Sequence, residues 1–245
     1  MSAALLWGLF VGFGSFIGAC VGCYMRLSHR FTGIVMGLGA GTLVSALAYD
    51  LVEEAFESSH SFLPVSVGFF LGVSLFLIMN FGITAWGGKL RKCPARKDES
   101  NSTALLAGTI LDNVPETMVV RASLVGAGKM SPVLIAAIFI SNLSNLPEGL
   151  AAPSGAKNVG ISTRSTLCLW AAVCLLTALS SFAGFLLFRG TSTAVNATEL
   201  TIAGGAIMAM LTDTMIPEAY HEAGPLVALD MAMGFLTAFI LGRIV

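Results

Sequence analysis

Ala104-Leu-Leu-Ala-Gly-Thr-Ile-Leu-Asp-Asn-Val-Pro-Glu-Thr-Met-Val-Val-Arg-Ala-Ser-Leu124 is long enough to cross a bilayer and carries two carboxylates near its centre. The hydrocarbon core is about 30 Å thick and a helix rises about 1.5 Å per residue, so about 20 residues span it. A carboxylate at mid-bilayer costs about 2.5–3.5 kcal/mol even on lenient insertion scales, so Asp112 and Glu116 imply a group that offsets that cost. A bound cation is the obvious candidate.

The same ruler applied outward predicts spans near 4–25, 32–56, 62–86, 104–124, 131–153, 165–188, 199–220 and 225–244. The chain is therefore expected to be an all-α membrane protein of eight transmembrane helices, a single domain over residues 1–245. Composition agrees, because 56% of the 245 residues are hydrophobic and only 11% are charged, against roughly 25% charged in a soluble domain. A net charge of −1 supplies no basic face for phosphates and excludes nucleic acid as a partner. The N-terminus lacks a positive n-region, and its first apolar run is expected to remain as a helix of the mature protein.

The polar stretch Lys89 to Thr103 carries five of the thirteen Lys and Arg and reads as a loop over about 87–103. With eight spans, nine of the thirteen basic residues fall on the side of that loop and four on the other. Positive loops stay cytoplasmic, so the loop is expected inside and both termini outside, in an inner or plasma membrane. Gly8, Gly12 and Gly18 give the first span a face open to close helix contact, including a homodimer.

Leu111-Asp-Asn-Val-Pro-Glu-Thr117 recurs as Leu143-Ser-Asn-Leu-Pro-Glu-Gly149, with Leu, Asn, Pro and Glu in one order at one spacing. A weaker match joins Gly41–Ala55 to Gly205–Ala219, each opening on Gly and closing on Glu-Ala. The members of each pair are expected to cross the bilayer in opposite directions, as inverted repeats do in secondary transporters. In span four Asp112, Asn113 and Glu116 lie three and four residues apart on one helix face, and Ser144, Asn145 and Glu148 repeat that geometry in span five. Pro115 and Pro147 cannot donate to the carbonyls of Leu111 and Leu143, which become further oxygen donors. Carboxylates, amides and carbonyls together suit a divalent cation. The structural alternative, a kink with interhelical hydrogen bonds, explains one such motif better than a duplicated pair.

Asp50, Glu53, Glu54 and Glu57 with His60 end span two, and Asp213, Glu218, His221 and Glu222 end span seven; one cluster is placed to funnel cations in and the other to pass them out. His221 is the better histidine for metal contact, with Glu218 and Glu222 at helical spacing, and His29, flanked by Arg30, reads as a solvated loop residue. Cys20-Val-Gly-Cys23 has the spacing of a redox or metal pair but lacks a second CxxC.

The two Asn-x-Pro-Glu helices, the Gly-rich second span ending in Glu-Ala, and Ile216-Pro-Glu-Ala219 in the seventh resemble the ZIP (Zrt- and Irt-like) metal transporters over essentially the whole chain. The resemblance implies a 3+2+3 helix bundle, a metal site between spans four and five, and uptake of Zn2+, Mn2+ or Fe2+ as substrate toward the cytoplasm, with no enzymatic activity. The family's usual histidines before Asn are Asp112 and Ser144 here, and span six offers no Asp or Glu. These departures shift the site toward oxygen donors and harder ions, and they keep open a transport-inactive metal sensor or scaffold. An intramembrane aspartyl protease is the rival from another class. It has Tyr49-Asp50 but no Gly-x-Gly-Asp.

Overall fold

The computed structural model describes residues 2–25, 28–85, 102–126, 132–143, 163–188 and 190–244. They are almost entirely helical, and no strand occurs among them. We number the helices α1 (Ser2–Tyr24), α2 (His29–Ala46), α3 (Glu54–Ser59), α4 (Phe62–Ala85), α5 (Ser102–Gly126), α6 (Pro132–Leu143), α7 (Thr163–Phe188), α8 (Thr193–Met210), α9 (Ile216–Ala223) and α10 (Val227–Ile244). A π-helical segment, Leu47–Glu53, joins α2 to α3, and another, Leu211–Met215, joins α8 to α9. Helix α8 begins at Thr193, earlier than the 199 expected for the start of the seventh span. Residues 87–101 of the expected loop and the fifth span beyond Leu143 lie outside the described residues, and Ser102 and Thr103, expected in that loop, already belong to α5.

Among the described residues five helical stretches are long and apolar enough to cross a membrane, and α4 shows why the chain belongs there. Its buried residues are Gly68, Gly72, Phe76 and Asn80, a single stripe at four-residue spacing. The rest of the surface is apolar and exposed, with Leu63, Phe70, Ile78 and Phe81 among its side chains. A helix apolar all round that buries only one stripe is solvated by lipid.

The stretch Thr193–Ile244 is 52 residues long, well beyond one crossing. It reverses at Gly224, whose φ of 71° lies in the region that favours glycine. Contact register fixes the directions. Gly39 meets Met215 and Gly204 meets Leu51, so α2 and α8 run antiparallel. Gly37 meets Val227 and Tyr49 meets Phe239, so α2 and α10 run parallel. Gly68 meets Thr198 while Asn80 meets Asp213, so α4 and α8 also run parallel.

The most extensive contacts pair α4 with α8, α10 with α2, and α1 with α7. The central helices divide between them: α5 packs on α8 and α7, and α6 on α2 and α1. Exchanging α1 with α7, α2 with α8, α4 with α10 and α5 with α6 maps these contacts onto one another. The glycines obey the same exchange. A Cβ on Gly41 would collide with the Met231 carbonyl and one on Gly234 with that of Leu38, while Gly205 and Gly72 stand likewise against the carbonyls of Phe69 and Ile202. Each π-helical segment begins six residues after its glycine, at Leu47 after Gly41 and at Leu211 after Gly205. The glycine face of α1 is occupied within the chain, because Gly8 meets Ser181 and Gly12 meets Cys174 of α7.

Candidate metal centre

Helix α5 runs unbroken through Pro115. Thr117 donates its hydroxyl to the carbonyls of Val114 (2.7 Å) and Asn113 (3.1 Å) beside the missing N–H. Asp112, Asn113 and Glu116 are all buried, at 3%, 5% and 3% exposure. The helix therefore holds two carboxylates and an amide away from solvent on neighbouring positions, as their spacing predicts.

Glu116 reaches α6. Its Oε1 accepts from the Ser141 hydroxyl at 3.0 Å and its Oε2 from the Asn142 amide at 2.6 Å. Asn142 in turn accepts from the Ser15 hydroxyl of α1 at 2.8 Å. Charge-assisted bonds of this kind are the stronger sort, and these join three helices at one carboxylate. Ser144, Asn145 and Glu148, the expected partners from span five, lie outside the described residues. Asn113 also borders a largely apolar cavity of about 60 Å3, shared with Thr177 and Ser180 of α7. Among the described residues no three His, Cys, Asp or Glu side chains converge closely enough to hold a metal ion. A complete ligand set would therefore require Ser144, Asn145 or Glu148, or oxygens of amides and carbonyls.

At the end of the second span, Asp50, Glu53, Glu54 and Glu57 line one cavity of about 220 Å3, walled by Phe239 and Ala238 of α10. Arg243 shares it, its guanidinium 5.7 Å from the Tyr49 ring centre and 5.5 Å from that of Phe239. Four carboxylates against one guanidinium leave the mouth negative, which concentrates cations. His60 caps α3 in the left-handed conformation, exposed and outside this lining.

The second acidic cluster divides. Asp213 sits in the π-helical segment and accepts from the Asn80 amide of α4, whereas Glu218 and Glu222 are buried further along in α9. His29 is solvated, its side chain 63% exposed, but it does not lie in a loop: it opens α2, and its Nδ1 lies 2.6 Å from Glu222 Oε2. His221 is the more distant partner, 3.7 Å from Oε1. Adjacent Arg side chains gave the misleading signal at His29; the crossing of α2 and α9, which Gly33 permits against Ala223, brings it to the carboxylate.

Further buried polar groups that the sequence motifs did not single out include Ser15, Asn80, Ser141, Asn142, Glu199 and Asp230. Glu199 and Asp230 carried a usable signal, since an acid inside an apolar span is costly wherever it stands. Cys20 and Cys23 form no disulfide. No family model matches the chain, and no curated protein matches it.

Proposed function

We propose that this chain carries divalent transition-metal cations, of the Zn2+, Mn2+ or Fe2+ class, toward the cytoplasm through a site between spans four and five. The observation that supports it most is the burial of Asp112, Asn113 and Glu116 on one stretch of α5, with Glu116 directed at α6. Isolated carboxylates are expensive in such a place, and a dication stabilises them. The chain has eight spans in a 3+2+3 inverted-repeat arrangement, with α5 and α6 as the central pair and the matched glycine crossings as the flanks. The Asp50 mouth faces outward with the termini and gathers cations; the Glu218–Glu222 end faces the cytoplasm, with His221, and releases them. The ligands are Asp112, Asn113 and Glu116 from span four and Ser144, Asn145 and Glu148 from span five, a set rich in oxygen that accepts hard ions as readily as zinc.

Purified protein in vesicles, assayed for Mn2+ and Zn2+ uptake, tests this. Glu116→Ala and Glu148→Ala should each abolish uptake. A wild type that moves neither ion, with both variants indistinguishable from it, removes transport and leaves the sensor or scaffold reading.

A further inference from the structure

Asn142 is fully buried, Ser15 is 1% exposed and Ser141 is 3% exposed, so all three polar side chains are committed to the interior. Their hydrogen bonds have a fixed polarity. An ionised carboxylate only accepts, so the edge of Asn142 facing Glu116 must be its NH2 group. Its carbonyl oxygen then faces Ser15, whose hydroxyl must donate. The amide cannot turn over without breaking both bonds.

The backbone is shaped to hold this amide in place. A Cβ on Gly14, the residue before Ser15, would stand 3.0 Å from Asn142 Cβ and 3.2 Å from the Phe139 carbonyl, so glycine lets α1 close on α6 where Ser15 must reach. On the opposite side Gly39 of α2 brings its helix within 3.4 Å of Ser141 Cα by the same measure. The Ser141–Asn142 pair is thus gripped between two helices.

We infer that Asn142, oriented by Ser15 and assisted by Ser141, is a positioning residue that aims Glu116 at the cation. Each carboxylate oxygen has two acceptor directions. One donor from α6 occupies one direction on each oxygen, so the two bonds together fix the plane of the carboxylate. The donors are neutral, so Glu116 keeps its full charge for the cation, and fixing its rotamer beforehand reduces the entropy lost when the ion binds. This inference rests on the proposed cation site at Glu116 and extends it to α1, a helix with no acidic residue.

Co2+ binding to the purified full-length protein in detergent tests it, read by titration and by the visible absorption bands that report coordination geometry. Asn142→Leu keeps the volume but removes the donor; it should weaken binding about 10–100-fold, the usual cost of losing an outer-shell partner, and alter the bands. Ser15→Ala should weaken binding less, and Ser15→Thr, which retains the hydroxyl, should restore it. A purely architectural role would lower thermal stability while leaving the affinity and bands of the folded protein unchanged, and that result overturns the inference. If Asn142→Leu does not fold, Ser15→Ala decides by the same criterion. A wild type that binds no Co2+, or a Glu116→Gln variant that binds it as well as wild type, overturns instead the cation site on which the inference stands.

Discussion

The helical run His29–Ser59 and the run Thr193–Ala223 share a backbone plan and differ in what they place at its end. Each crosses a parallel neighbour at a glycine that touches a carbonyl, Gly41 on α10 and Gly205 on α4, and each widens into a π-helical segment six residues later. Beyond that point the chemistry diverges. The first run opens its carboxylates into a cavity with one guanidinium, and the second buries Glu218 and Glu222 and ties the latter to His29. The backbone plan is common to the two runs, and the side chains at their ends are what distinguish them.

The largest effect should come from breaking the shared plan. Gly41→Ala and Gly205→Ala each drive a methyl into a backbone carbonyl and should destabilise by about 1–3 kcal/mol or more, as overpacking does. Gly204→Ala, where the nearest atom lies 3.8 Å away, should be neutral or slightly stabilising. Thermal unfolding in detergent reads all three, and damage at only one of the two crossings would show that they are not equivalent.

A smaller effect should separate the two ends. Glu53→Gln with Glu57→Gln weakens the negative mouth, and should raise KM for the cation roughly 3–10-fold while reducing its dependence on ionic strength. Glu222→Gln should leave KM nearly unchanged and lower the maximal rate, as the proposed role in release requires. Identical kinetic signatures from the two ends would dissolve the assignment of one to capture and the other to discharge. The smallest effect is expected at Cys23→Ala, within about 0.5 kcal/mol in stability and without change in uptake, as for substitutions away from any organised site.

Helix content was legible because length and apolarity act on every residue of a span; the run Phe62–Ala85 almost coincides with its expected 62–86. The buried face of α5 was legible for a related reason, since an i, i+3, i+4 pattern has only one geometric meaning on a helix. Other features left no such trace. The repeated Ser-Asn-Leu offers two registers: Ser141 and Asn142 hold Glu116, which the motif did not point to, while Ser144 and Asn145, to which it did, lie outside the described residues. The pairing of His29 with Glu222 joins residues 193 positions apart, and nothing in the local charge pattern announces it. The π-helical segments have no residue signature at all; they are known only by their place after matched glycines.

Those wide turns give the two runs a freedom that an uninterrupted α-helix lacks. A single inserted residue rotates everything downstream by about 100° around the axis. The azimuth of the acidic tip relative to the glycine contact is therefore set by the extra residue between them, so the tip can be re-aimed by gaining or losing that residue while the crossing stays locked.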